Sequence, residues 1–155
     1  MKNTLKILLS LAFAFSLASA VEAKRGSDGQ LNLLYWQAPS TMNPNLSGGT
    51  KELEASSIVL EPFARYDEKG NLVAWLAEKI PTVANGGISK DLTSITWKIK
   101  RGIKWSDGSA LTADDAVFTY KYCSNPDTGC TQSNYWADIK SVTAVNNQTV
   151  KVEFT

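Results

Sequence analysis

The sequence has 155 residues, of which 43% are hydrophobic, with 16 Lys and Arg, 15 Asp and Glu, two cysteines and no histidine. This length allows one domain at most, and the near-zero net charge excludes the basic excess that nucleic-acid binding needs. The lack of histidine excludes His-based catalytic triads and His-containing zinc sites within this chain, and two cysteines cannot complete a zinc site. We therefore expect no nucleic-acid partner, no metal and no cofactor.

The N-terminus has the pattern of a secretory signal peptide. Two lysines precede an apolar run over 7–18, and small residues then offer cleavage after Ala20 or Ala23. The run is shorter than the roughly 20 apolar residues that span a bilayer. We expect residues 1–23 to be removed. Because no cysteine lies among them to carry a lipid anchor, the mature protein is predicted to be soluble outside the cytoplasm.

The mature chain is predicted to open with a strand, a long loop and a helix. Apolar residues dominate over 31–36, which predicts a strand covered on both faces. Residues 37–49 are rich in Pro, Gly, Ser and Asn and are predicted to form an irregular loop. Thr50 can cap the helix, which would run to about Leu60 and end before a proline. One stripe of this helix holds Leu53, Ser57 and Leu60.

A β-hairpin and the clearest strand follow. A glycine-containing turn separates two short extended segments, 63–66 and 72–74, which is the pattern of a hairpin. Further along, Ile95, Trp97 and Ile99 alternate with polar residues. One face of this strand is therefore predicted to be apolar and the other solvated.

The chain then turns twice and enters a second helix. The turn sequences are RG at 101–102 and SDG at 106–108. Thr112 and Asp115 have the spacing of a capping box, with the shorter acid, ahead of a helix through Lys121.

Two cysteines and two strands complete the predicted elements. Cys123 and Cys130 bracket a turn-rich stretch, so in an exported protein we favour a disulfide, with two free buried thiols as the alternative. Residues 139–145 and 149–154 have the pattern of two strands around a polar turn. Because a domain seldom ends inside such a strand, we expect Thr155 to lie within a longer protein.

No residue pattern points to catalysis. Asp114 and Asp115 could be imagined as an acid/base pair, but the first turn of a helix already favours two acids. The basic residues between 98 and 104 lie on a strand and turn, where a solvated face is the usual explanation. The sequence SGGTK at 47–51 lacks the residue order of a phosphate-binding loop.

The aromatic residues are more informative, since five Trp and five Tyr suit the binding of extended organic ligands. Trp97 and Trp75 are expected in the core. Trp36 lies where the first strand gives way to the long loop, and binding groups concentrate on loops that follow strands. For Trp36 a ligand-lining role and core packing remain the two alternatives.

Three blocks of sequence carry a family resemblance. The first, 31–44, ends TMNP; the second, 60–78, contains LEPF and then LVAWLAE; the third, 94–120, contains ITWKIKRGIKWSDG and LTADDAVFTY. In this order and spacing they resemble the solute-binding proteins of bacterial peptide-type ABC importers, family 5. Two departures are Asn43, where the family more often has an acid, and Ala74-Trp75, where a proline-containing pair is common.

The resemblance implies an α/β, two-lobed fold of the type II periplasmic-binding-protein kind, of which residues 24–155 hold the N-terminal part of lobe I and its subdomain. Solute would be enclosed between the lobes and then passed to an ABC permease at the membrane. The family's early loop lines the cleft, mainly through backbone groups that bind an extended peptide. The candidate contact residues are Trp36, Gln37, Pro39, Ser40, Thr41 and Met42.

The resemblance further implies a periplasmic monomer that captures peptides or a similar extended organic solute without catalysing a reaction. The alternative is a secreted enzyme whose catalytic part lies beyond residue 155.

Overall fold

The computed structural model describes residues 29–155. The chain divides into two compact units, Met1–Trp36 and Gln37–Thr155, and the first is described only over 29–36. The predicted signal peptide, 1–23, lies outside the described residues. Within the described part of the chain, no helix is both long and apolar enough to cross a membrane.

The predicted strand over 31–36 does not form. No strand is assigned to this segment, and its apolar side chains are exposed, with Leu34 fully accessible and Trp36 at 70% exposure. An extended segment becomes a β-strand only when a neighbouring strand completes its backbone hydrogen bonds. Among the strands of residues 29–155, none pairs with this segment. The prediction that both faces are covered is wrong for the same reason.

The first helix, α1, is shorter than predicted and buries a different face. It covers Thr50–Ser56, with Gly49 as its N-cap, so Thr50 is the first helical residue instead of the cap. The predicted stripe of Leu53, Ser57 and Leu60 is exposed. The buried residues of the helix are instead the polar pair Glu52 and Ser56, because both have hydrogen-bond partners: the carboxylate of Glu52 accepts from the chain before the helix, and the Ser56 hydroxyl donates to the Leu53 carbonyl.

The predicted hairpin is confirmed. Strands β1 (Ala64–Tyr66) and β2 (Leu72–Ala74) pair antiparallel, with Arg65 opposite Val73. In the turn Gly70 adopts φ 79°, a left-handed conformation that glycine adopts without steric cost. The Asp67 side chain accepts hydrogen bonds from the N–H groups of Lys69 and Asn71, which closes the turn.

The three remaining predicted strands form one antiparallel sheet in the order β3-β5-β4. They are β3 (Ser94–Lys98), β4 (Ile139–Asn146) and β5 (Thr149–Phe154). Trp97 lies opposite Val150 across β3 and β5. In β3 and β5 the alternation of apolar and polar residues correctly predicts the strands and their inner face. In β4 the pairing with β5 shifts register between Ile139 and Ser141, so no simple alternation holds there.

Helix α2 (Ala113–Ser124) covers this sheet and packs against β4. The predicted capping box is present, because the Thr112 N–H donates to the Asp115 carboxylate at 2.7 Å. The buried core lies between this helix and the sheet, and it consists of Ile99, Ala113, Val142 and Val150.

Trp97 and Trp75 occupy different surroundings. Trp97 packs against the core cluster, with its ring 5.7 Å from that of Phe63, which confirms its predicted role. Trp75 is half-buried instead of lying in the core, and the Arg65 guanidinium lies 3.3 Å above its ring, a cation–π arrangement.

Candidate functional site

The predicted contact residues 37–42, here called the 37–42 loop, form an irregular and accessible segment. Gln37, Pro39, Ser40 and Met42 are exposed, and Thr41 is half-buried. An exposed stretch of irregular backbone is the kind of surface on which an extended ligand can form main-chain hydrogen bonds.

Trp36, the remaining predicted contact residue, belongs to the first unit. Its side chain is 70% exposed, and its ring centroid lies 6.0 Å from that of Tyr35. Core packing within the described residues, one of the two alternatives for Trp36, is therefore not observed. Its role as a ligand-lining residue stays a prediction.

The 37–42 loop is anchored at its centre by Glu52 of α1, a residue for which the sequence predicts no role. One carboxylate oxygen of Glu52 accepts hydrogen bonds from the Ser40 N–H at 2.9 Å and the Ser40 hydroxyl at 2.8 Å. The ammonium group of Lys51 pairs with the same oxygen and also donates to the Ser40 hydroxyl. Ser40 therefore has its polar groups turned toward α1.

The charge of Glu52 is well compensated although its side chain is only 1% exposed. The Lys51 ammonium and then the Ser40 N–H lower the pKa of the Glu52 carboxyl to about 2, so this group is ionised at neutral pH. The carboxylate also lies in the first turn of α1, where the helix dipole favours an anion. Gly49 leaves it room, since a Cβ atom there would lie 2.5 Å from a Glu52 oxygen.

Local hydrogen bonds shape the chain that follows the loop. The Thr41 hydroxyl accepts from the Asn43 N–H at 3.1 Å, and the Asn43 side chain accepts from the Asn45 N–H at 3.0 Å. Asn43 thereby caps a single 3-10 turn, Pro44–Leu46. The asparagine in place of the family's usual acid still supplies the oxygen that such a cap requires.

A second anchor comes from far along the chain. The Gln132 side-chain amide donates to the Pro44 carbonyl at 2.9 Å, and the Thr131 N–H donates to the Asn45 carbonyl at 2.8 Å. These residues directly follow the Cys123–Cys130 disulfide, which is formed as predicted and joins two Cα atoms 5.1 Å apart. The loop region is thus held from two sides, by α1 and by the segment after the disulfide.

Sequence reasoning missed both anchors. Glu52 follows a helix start, where an acid is expected for local reasons and needs no distant partner. Gln132 lies 88 positions from Pro44, and no local pattern marks an amide that binds a distant carbonyl. A loop rich in Asn and Ser does signal that side chains will bind nearby backbone, and the cap by Asn43 is of that kind.

A separate groove of about 330 Å³ lies beside the end of α1. Two of its lining residues, Ile58 and Val59, are about 60% exposed, and Trp105 forms part of its wall. The Trp105 indole N–H donates to the Asp115 carboxylate at 3.4 Å, which fixes one edge of the ring near α2. The wall of the groove mixes apolar side chains with the polar residues Glu61, Lys104 and Ser106.

Within residues 29–155, no group of three or more His, Cys, Asp or Glu side chains is arranged to hold a metal ion. The acids Asp114 and Asp115 start α2, and Asp115 is engaged with the Thr112 N–H. Their arrangement matches the capping interpretation of this pair.

Comparison with known proteins gives one family. The model of "Bacterial extracellular solute-binding proteins, family 5 Middle" matches residues 71–155. A probable ABC transporter-binding protein of Deinococcus radiodurans is 30% identical over 98% of this chain and 25% of its own length. The oligopeptide-binding protein AppA of Bacillus subtilis is 29% identical over 89% of this chain and 26% of its own length. The chain spans about a quarter of the length of these relatives.

Solved structures agree with this result. The oligopeptide-binding protein AppA from Bacillus subtilis, in complex with a nonapeptide, matches with a TM-score of 0.66 and 29% identity over 76% of this chain and 22% of its own. NikZ from Campylobacter jejuni, in complex with Ni(L-His), matches with a TM-score of 0.65 and 26% identity over the same shares. The predicted α/β fold class, that of part of a two-lobed periplasmic binding protein, is confirmed.

Proposed function

The chain belongs to the bacterial extracellular solute-binding proteins of family 5, and on this basis we propose that it is part of the substrate-binding component of an ABC importer. The component captures a peptide or a similar extended organic solute and delivers it to a membrane permease. The observation that carries this proposal is the family match over residues 71–155. The nonapeptide bound to a relative of 29% identity supports the peptide class.

The 37–42 loop is the proposed contact surface within this chain. Its exposed backbone is suited to bind an extended peptide as a neighbouring strand would. The anchor through Glu52 fixes the loop before a solute arrives, which lowers the entropic cost of binding. Gln37, Pro39 and Met42 supply the exposed side chains, whereas Ser40 contributes chiefly to the position of the backbone.

The remaining features of the proposal concern the whole protein. The signal peptide, 1–23, directs export, and the mature protein acts as a soluble periplasmic monomer. The solute leaves chemically unchanged, because transport requires capture and release and no reaction. Genes for a permease and an ATPase beside this gene are the expected genomic context.

The test is a thermal-shift screen of the full-length gene product against peptides of two to nine residues, nickel chelates, heme and oligosaccharides. A peptide present at a hundred times its dissociation constant should stabilise the folded protein by about 2.7 kcal/mol. Replacing Met42 by Ala should weaken this effect, while the control Val145→Ala on β4, also exposed, should leave it unchanged.

Two results would overturn the proposal. If no compound in the screen raises the melting temperature, the solute class is wrong. If mass spectrometry of the incubated peptide shows cleavage products, the protein is a secreted enzyme instead of a binding protein.

A further inference from the structure

We propose that Thr131 and Gln132, held in place by the Cys123–Cys130 disulfide, position the 37–42 loop for solute binding. This inference rests on the proposed function, since it concerns the same loop. It assigns the disulfide a role in site geometry in addition to its contribution to stability.

Two consecutive residues after the disulfide contact the chain that follows the 37–42 loop. The Gln132 amide and the Thr131 N–H donate to two consecutive carbonyls, those of Pro44 and Asn45. The Thr131 hydroxyl also donates to the Asn45 carbonyl, at 3.3 Å. Two neighbouring residues that bind two neighbouring carbonyls fix both the position and the direction of the backbone they contact.

The segment that contains Thr131 and Gln132 is itself held at both ends. On one side the disulfide joins Cys130 to Cys123, which is fully buried in the last turn of α2. On the other side the 3-10 turn Ser133–Trp136 follows, and the Trp136 ring lies 6.0 Å from the ring of Tyr120 on α2. The segment of two residues between these attachments has little freedom to move away from the loop.

The turn inside the disulfide ring reinforces the first attachment. The Thr128 hydroxyl lies within hydrogen-bond distance of the carbonyls of Tyr122 and Asn125, at 2.7 and 2.8 Å, and its one proton is shared between them. Gly129 adopts φ 70°, which directs the chain back toward α2 so that Cys130 meets its partner. The ring is therefore a defined structure attached to the end of a helix.

Asn43 couples this contact to the 37–42 loop. Pro44 lies two residues after Met42, and the intervening Asn43 is tied to both sides by hydrogen bonds with Thr41 and Asn45. A shift of the Pro44 and Asn45 carbonyls would therefore be transmitted to the end of the 37–42 loop. Glu52 holds the middle of the loop but makes no contact that replaces this one.

The test is hydrogen–deuterium exchange by mass spectrometry on the full-length protein. Two variants weaken the anchor: Gln132→Glu, which replaces the amide donor to the Pro44 carbonyl by an oxygen of the same size, and Cys123→Ser with Cys130→Ser, which releases the donor segment from α2. In both, exchange of residues 40–46 should accelerate about fivefold, the factor for the net loss of one hydrogen bond. In Gln132→Glu the hairpin over 64–74 should exchange at the wild-type rate.

The control variant is Gln148→Glu, the same substitution in the turn between β4 and β5. It should leave the exchange of residues 40–46 unchanged. If neither anchor variant accelerates these residues, or if the hairpin accelerates equally in Gln132→Glu, the anchor does not position the loop and the proposal fails.

Affinity for a nonapeptide pool, measured at a temperature where every variant is folded, separates positioning from stability. Positioning predicts about a fivefold higher dissociation constant for Gln132→Glu, and an unchanged constant overturns it. If the wild-type protein binds no peptide at all, the proposed function fails, whereas the exchange rates still decide whether the anchor holds the loop.

Discussion

Replacing Ile99 by Ala in the 155-residue chain tests the position of the core. The Ile99 side chain is 1% exposed and belongs to the cluster between the sheet and α2. The substitution removes three carbon atoms, each worth about 0.8 kcal/mol on burial, and the cavity left behind raises the total to about 3–4 kcal/mol of unfolding free energy. This is a large fraction of the stability of a typical domain.

Urea titration monitored by tryptophan fluorescence measures this loss, because Trp97 packs against the same cluster. With an m-value of about 2 kcal/mol/M, the midpoint should fall by about 1.5–2 M. The matched control is Ile58→Ala, at 60% exposure, which should change the unfolding free energy by less than about 0.5 kcal/mol. Equal losses for the two variants would refute the assignment of Ile99 to the core and of Ile58 to the surface.

Three further perturbations test the elements around the candidate site. Because the Glu52 pKa is lowered from 4.5 to about 2, the contribution of this carboxylate to stability is complete above pH 4.5 and is lost as the pH falls toward 2. The urea midpoint of Glu52→Gln should therefore depend less on pH over this range than the wild-type midpoint does. Parallel pH dependences of the two midpoints would contradict this. Removing the disulfide by Cys123→Ser with Cys130→Ser should cost about 2–3 kcal/mol in urea titrations, since the ring it closes is short; a loss below about 1 kcal/mol would argue against it. Replacing Asp115 by Ala should cost about 1 kcal/mol through loss of the capping box, whereas Asp114→Ala, in the same turn, should be near neutral in the same assay.

Most of the regular structure of residues 50–155 is predictable because its causes are local. Alternation of apolar and polar residues defines β3 and β5, and a glycine-containing turn defines the hairpin. The capping box of α2 and the disulfide follow from spacings of a few residues. In each case the residues that decide the conformation are neighbours in sequence, so one segment contains the necessary information.

Two predictions are wrong, the strand over 31–36 and the buried face of α1, because the causes of these features are not local. The segment 31–36 has the composition of a strand, but a strand also requires a partner, and that requirement cannot be read from six residues. In α1 the stripe with Leu53 is exposed, because the buried face was decided by the hydrogen bonds between Glu52 and Ser40, 12 residues away. A polar residue is buried only when a hydrogen-bond partner satisfies it, and for Glu52 that partner lies 12 residues away, so hydrophobic periodicity alone assigns the wrong face.

The residues that identify the family are likewise different from the residues that hold the 37–42 loop in place. The signature sequence over 94–120 supplies a strand, two turns and a helix cap, and its buried residues, such as Ile99, form the core. The residues that hold the 37–42 loop, Glu52 and Gln132, lie outside this signature and outside the core cluster. A change at either anchor can therefore displace the loop while the scaffold remains intact, because the two sets of contacts share no side chain. Sequence motifs that report the scaffold accordingly identify the family, and the arrangement of the proposed contact surface follows from contacts that only the folded chain brings together.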